Sequence, residues 1–402
     1  MQHSTEKHSN LQINNAIYAA ILFSFPLDFI RLYWVLTFFD LIAILSIPIV
    51  FFLDVQKNYI IKYGLQVFSL YSLLILLSVI VNLDYLEEHL ILIAGTSLSV
   101  LKATVILQVI CLRGGNFWFP ICLGILCVNI LLIIWLLFGE GFTNSGRFRG
   151  FFPQSNGMAT FQTFAIAVSL FGITLRTQPV AMATLVLSTM LLLLTGSRGG
   201  LVCAAVLFAF VWVRSLFFLR GARRIFIIVF FKAVILIGVV WFSDGIFNLL
   251  QNSNFAGLRR IGQFADDIID GNLMGVFNQS RGVLNSTAIE YFLNNPRLFG
   301  SGYESSAYTI GSGQRVHNIF LVSLVELGVP GFLFFLVAIG NAAIKSLRFV
   351  FSFDEKYFFT LMFVPLFFAA NKTPYYFLNA VSWMVIIYFL IPKRLKFLNG
   401  AT

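Results

Sequence analysis

Charge is scarce in this chain. Of its 402 residues only 11% are Asp, Glu, Lys or Arg, where a soluble domain carries about 25%, and apolar types reach 59%. That balance excludes a water-soluble globule, and it excludes disorder, which needs few apolar residues and much charge. Cysteine is sparse too: Cys111, Cys122, Cys127 and Cys203 all lie inside apolar runs, with no CxxC or Cys/His cluster. Neither a disulfide framework nor a zinc site is expected from them. Glycine, at 30 residues, is far too rare for a collagen-like repeat. No small-residue cleavage site follows the first apolar run, which is therefore expected to be a retained helix rather than a signal peptide.

What the chain has is long apolar runs. Bounded by charges or turn residues, they give about twelve spans of roughly the 20 residues a bilayer needs: 14–30, 33–53, 63–82, 90–111, 117–138, 158–175, 179–195, 199–219, 225–243, 317–345, 357–371 and 376–391. The expected fold class is an all-α polytopic integral membrane protein, not a barrel of weakly alternating strands. Three regions follow: 1–243 with nine spans, a long outer loop at 244–316, and 317–402 with three more spans. With the N-terminus inside, fifteen Lys and Arg fall on the inner side and ten on the outer, five of the ten in the long loop. Long loops are discounted in the charge-bias rule, so both termini are expected in the cytoplasm. The net charge of +10 is spread over short loops, so topology explains it better than nucleic acid does.

The partition carries a second signal. Inside, Lys and Arg stand at seven to eight, and outside at one to nine. Orientation needs only positive charge, whereas planar, bidentate recognition of phosphate or carboxylate needs guanidinium. Codon bias, or chance in a sample of ten, is the alternative.

Three outer segments concentrate these arginines. Gly141 to Gly157 reads GFTNSGRFRGFFPQSNG, too glycine-rich and irregular for a helix. If it is extended, Arg147 and Arg149 face one way with Phe148 between them, either as ligands or as anchors at headgroup level. The tight turn Thr195-Gly-Ser-Arg-Gly-Gly200 leaves Arg198 near the outer surface, where flanking glycines permit close backbone approach and a helix N-terminus adds positive potential. The long loop holds apolar residues at helical spacing, Leu258 to Ile269 and Val283 to Phe292, so two amphipathic helices are expected against the outer membrane face. Arg281 follows Ser280, a candidate N-cap, which places its guanidinium by a helix N-terminus. Asp266, Asp267 and Asp270 read more readily as an acidic helix face than as a metal cluster.

His317 stands where the long loop meets span ten. A neutral imidazole there suits a general base; a histidine bonded to a loop carbonyl is the plainer alternative. Asp40, Lys102, Lys232 and Glu326 carry charge within apolar runs at real cost. Lys232 snorkels towards the cytoplasm, Asp40 and Lys102 are candidates to pair, and Glu326 precedes a break at Gly328-Val-Pro-Gly331 whose role, structural or catalytic, stays open.

Taken together these motifs resemble a known family. His317-Asn318, nine residues, then Gly328-Val-Pro-Gly331 is similar to the histidine motif of bacterial O-antigen ligases. Thr195-Gly-Ser-Arg198-Gly-Gly resembles the arginine turn of the O-antigen ligase/polymerase superfamily. Arg147-Phe-Arg149-Gly with Pro153-Gln-Ser-Asn156 resembles its loop before the sixth span, and Ser280-Arg281, a helix and Asn-Pro resembles the start of its large periplasmic helix. The likeness covers about residues 140–345 in order.

That resemblance implies a GT-C-like inner-membrane enzyme acting at the periplasmic face on a glycan carried by undecaprenyl diphosphate. A ligase passes the glycan to lipid A-core; a polymerase passes it to a second lipid-linked chain. The ligase reading is favoured by the histidine motif. Arg198 and Arg281 would grip the diphosphate and His317 would deprotonate or orient the acceptor, with Arg147, Arg149, Asn156, Asn318 and Arg315 completing the binding set. Neither a metal nor another cofactor is expected, fixed cations serving the departing charge, and no nucleic acid partner is. A lipid-linked oligosaccharide flippase is the rival from another class, though it has no need of a large outer loop and no inverted repeat is visible.

Overall fold

Turn residues and charges punctuate the apolar runs, and helices form between them. The computed structural model describes residues 15–29, 31–33, 36–37, 39–40, 42–43, 45–46, 58–81, 86–113, 117–175, 178–218, 225, 229, 232–233, 252–253, 256–269, 281–302, 305–306, 316–349, 355–371 and 379–391. In chain order these hold α1 (Asn15–Phe29), a ribbon of β1 (Arg31–Tyr33) and β2 (Leu36–Thr37), α2 (Asn58–Val81), α3 (Leu86–Arg113), α4 (Trp118–Leu137), α5 (Ser155–Leu175), α6 (Pro179–Thr195) and α7 (Arg198–Phe218). There follow α8 (Ala256–Ile269), α9 (Arg281–Asn294), α10 (Ile319–Glu326), α11 (Gly328–Phe349), α12 (Glu355–Ala370) and α13 (Ala380–Leu390).

Among the described residues five helices are long and apolar enough to cross a membrane: α2, α4, α5, α7 and α11. Four more, α1, α6, α12 and α13, are apolar but shorter. The expected run at 225–243 lies outside the described residues apart from isolated positions, and so does most of 33–53. The start of the latter corrects the reading of a helix from residue 33. Arg31↔Thr37 and Tyr33↔Leu36 pair antiparallel, Tyr and Thr being residues that favour a pleated ribbon.

The centre of the bundle is α5, whose apolar and small residues are buried all round, as befits a helix enclosed by α4, α6, α7 and α12. Gly172 admits the Trp118 ring, which a Cβ would meet at 2.6 Å. A polar ladder crosses three helices: Gln162 Nε2 donates to Asn129 Oδ1 at 3.1 Å, and Asn129 Nδ2 donates to Ser188 Oγ at 2.8 Å. In an apolar surround such bonds fix which helix faces meet.

Lys102 pairs with Asp40 at 2.6 Å, as anticipated, and with Asp28 at 2.5 Å, which the sequence reading passed over. Asp28 Oδ2 also accepts the N–H of Ala380 at 2.9 Å, so one buried cluster ties α1, residue 40, α3 and α13 together. Lys232 is exposed.

Span ten breaks as its Gly-Val-Pro-Gly signal indicated, with α10 ending at Glu326 and Gly328 at φ +71° opening α11. The break is filled by residues 298–302 and 305–306. Ser301 N donates to Val325 O at 2.8 Å, Gly302 N to Glu326 O at 3.3 Å and Val329 N to Leu298 O at 3.1 Å, while Ser78 Oγ reaches Glu326 O at 2.5 Å. The Glu326 carboxylate accepts the Ser306 N–H at 3.2 Å. Carbonyls freed at a helix end thus receive partners.

Both helices of the long loop dock on protein, α8 with the amphipathic pattern expected and α9, contrary to expectation, without a marked apolar face. Ala256 and Ile261 of α8 are buried where it meets α6 and α7. Leu284 and Ala288 of α9 are buried where it meets α10, leaving Val283, Ile289 and Leu293 exposed. Tyr291 Oη pairs with Ser301 Oγ at 2.9 Å, which joins the end of α9 to the break.

Candidate functional site

The arginine turn is built by capping. Thr195 ends α6, Gly196 takes the left-handed conformation at φ +58° as its C-cap, and α7 starts at Arg198. Ser197 is the N-cap of α7: its Oγ accepts the Gly200 N–H at 3.3 Å. Arg198, half-buried, is therefore the first residue of α7 and lies at the positive end of that helix. The glycines beside it serve the fold as well. A Cβ at Gly200 would meet Leu192 Cδ1 at 2.8 Å and Ala159 at 3.3 Å, and one at Gly196 would meet Gly257 Cα at 2.7 Å.

Residues 141–150 form a hairpin. Phe142 bridges Phe148 antiparallel, and Thr143 N donates to Arg147 O at 2.8 Å. The alternation places Phe148 in the core at 1% exposure and leaves Arg147 and Arg149 half-buried. Arg147 bridges to the arginine turn: its Nε donates to Thr195 O at 2.8 Å and its Nη2 to Asn156 Oδ1 at 3.1 Å. Phe148 N adds a bond to Leu194 O at 3.3 Å. Arg149 Nη1 donates to Pro153 O at 3.1 Å within its own loop. Below lies a crevice of about 20 Å³, room for about one water, between Asn156 and Thr160 of α5, Ser197 and Gly199 by α7, and Pro365 of α12.

The first turn of α8 closes this assembly. Gly257 lies on the backbone of Leu194 and Gly196, and Ala256 Cβ stands 3.1 Å from where a Cβ of Gly146 would be. The contact brings Arg260 into the electrostatic field of Arg147. Burial, and secondarily the like charge of Arg260, hold the Arg147 guanidinium below its ordinary range, at about 10.

A second group stands on α9 and α10. His317 is exposed immediately before α10, and Asn318 caps that helix, its Oδ1 accepting from Phe320 N at 2.9 Å and Leu321 N at 3.3 Å. That oxygen is committed to the cap, a role the sequence reading of Asn318 as a ligand did not include. Arg281 opens α9, which packs along α10; its side chain, like Arg315, lies outside the described residues, as do Ser280 and the side chains of Asp266, Asp267 and Asp270.

The structure thus brings Arg147, Asn156 and Arg198 to one place, with Arg149 on the same hairpin, and sets His317 beside the helix that Arg281 opens. Sequence reasoning missed Arg260 and Gly257. Their signal was present, a glycine one helical turn before an arginine, but its meaning depends on what α8 touches.

A family model described as O-antigen ligase matches residues 183–336. The matched stretch runs from α6 through the arginine turn, α8, α9 and His317 into α11. No curated protein matches the chain. Across those residues the chain is similar to the O-antigen ligase family.

Proposed function

We propose that this chain is a periplasm-facing glycosyltransferase that moves a glycan from undecaprenyl diphosphate to lipid A-core, the ligase reaction of lipopolysaccharide biosynthesis. The observation that carries this reading is the bond from Arg147 Nε to Thr195 O, which gathers a second guanidinium at the turn bearing Arg198 inside the matched region.

In the proposed reaction an acceptor hydroxyl attacks the anomeric carbon. The new C–O bond forms as the bond to the phosphate oxygen breaks, and the electron pair leaves on the diphosphate. Arg198 and Arg281 hold that diphosphate, Arg147 and Arg149 assist, and fixed donors in a preorganised site steady the growing charge without a metal. The hydroxyl proton passes to the His317 imidazole and then to solvent. One displacement inverts the anomeric centre. Exposure of His317 at the head of α10 suits an acceptor arriving from the outer side.

The test uses purified protein in nanodiscs with undecaprenyl-diphosphate-linked glycan and either core lipopolysaccharide or a second lipid-linked chain. Ligation supports the reading, chain extension replaces it with a polymerase, and neither product from folded protein points to transport. Arg198→Ala, Arg281→Ala and His317→Ala are each expected to lower turnover by about 100-fold or more. Dependence on added Mg²⁺ or Mn²⁺ rejects the metal-free step.

A further inference from the structure

We infer that Arg260 is an additional diphosphate-binding side chain, delivered to the arginine turn by the contact of Gly257 with Leu194 and Gly196. The assignment rests on the diphosphate reading above and names the partner of Arg147 in it.

Backbone meets backbone at this contact. A Cβ at position 257 would stand 2.3 Å from Leu194 O, and one at 196 would stand 2.7 Å from Gly257 Cα. With Ala256 against Gly146 on the other side, the first turn of α8 is wedged between the turn and the arginine hairpin. Arg260 is three residues on, the spacing that returns to the same helix face after a rise of about 4.5 Å. Helical side chains lean towards the N-terminus, so that of Arg260 leans back over the turn.

Arg260 is exposed, so its place is not set by burial. Its charge nonetheless acts on Arg147, the half-buried fork that bonds Thr195 and Asn156. Two guanidiniums set together repel, and a dianionic ligand between them reverses the sign of that interaction. A diphosphate ester has two phosphoryl groups. Arg147 and Arg260 take one, and Arg198 at the positive end of α7, together with Arg281, takes the other.

The experiment measures binding of undecaprenyl diphosphate, without glycan, to the full chain in nanodiscs of zwitterionic lipid. Arg260→Gln is expected to weaken binding about tenfold or more, Arg260→Lys to recover part of the loss, and Arg297→Gln, at an exposed turn residue after α9, to leave it unchanged. Parallel arms with inorganic pyrophosphate and with phosphatidylglycerol separate the carried diphosphate from free phosphate and from ordinary lipid headgroups. Wild-type affinity in both Arg260 variants, an equal loss in Arg297→Gln, or equal competition by phosphatidylglycerol overturns the assignment while the proposed reaction stands. Failure of the wild type to bind undecaprenyl diphosphate removes both.

Discussion

The guanidinium of Arg147 spans two acceptors on different elements, Thr195 O at 2.8 Å and Asn156 Oδ1 at 3.1 Å. Through that fork the hairpin before α5 and the turn after α6 hold one another in register. A single ammonium cannot span both acceptors with the same geometry. Arg147→Lys is therefore expected to lower glycan transfer by about tenfold, the worth of roughly 1.4 kcal/mol, with expression unchanged, and Arg147→Ala by more. Transfer by Arg147→Lys at the wild-type rate excludes the bridging role.

Gly257→Ala tests the docking of α8. The added methyl would press on a backbone carbonyl, Leu194 O, rather than on a flexible side chain, so α8 has to move away. Transfer is expected to fall with little change in global thermal stability, because α8 touches the bundle mainly at α6 and α7. Proteolysis of the loop 244–316 should quicken at the same time. Unchanged cleavage and activity count against the contact.

Periodicity made much of the bundle legible. Apolar runs bounded by charge and turn residues gave the places of α4 to α7 and of α11 to α13, and the Gly-Val-Pro-Gly signal located the break after Glu326. Tertiary partners were not legible. Asp28 reads as one polar residue at the end of an apolar run, and only the fold shows that it closes a cluster with Lys102, Asp40 and the N-terminus of α13. Arg198 and Arg147 stood out by motif. Arg260 did not, since its relevance comes from a glycine contact between segments about sixty residues apart, for which a single sequence holds no periodic trace. Asn318 was noticed for its motif, yet its oxygen caps α10.

The buried cluster offers a test of stability rather than transfer. Lys102→Met leaves Asp28 and Asp40 buried without their cation, and loss of one partner from such a group costs about 3–5 kcal/mol. Adding Asp28→Asn and Asp40→Asn removes the stranded charge, and the amide oxygen then present at position 28 can still accept from Ala380 N. Thermal unfolding in one detergent is expected to show a large loss in the single variant and most of it restored in the triple one. Equal instability in both assigns the loss to packing instead.

Arg147 also gives a pH signature. Its guanidinium titrates at about 10, held down by burial and then by Arg260. Below that pH it is charged with or without ligand, so no proton is exchanged and this group leaves diphosphate affinity flat. Above it the free protein has lost the proton and the bound state must regain one, so affinity falls by up to about tenfold per unit. Stability runs the other way. A base whose folded pKa is depressed costs stability while charged, and that cost eases as pH rises from about 10 towards the ordinary guanidinium range, so unfolding through this group does not mimic the loss. Undecaprenyl diphosphate binding measured from about pH 8 to about pH 10.5 is expected to show the fall in the wild type, and weaker but level binding in Arg147→Gln. The same slope in that variant traces the titration to another residue.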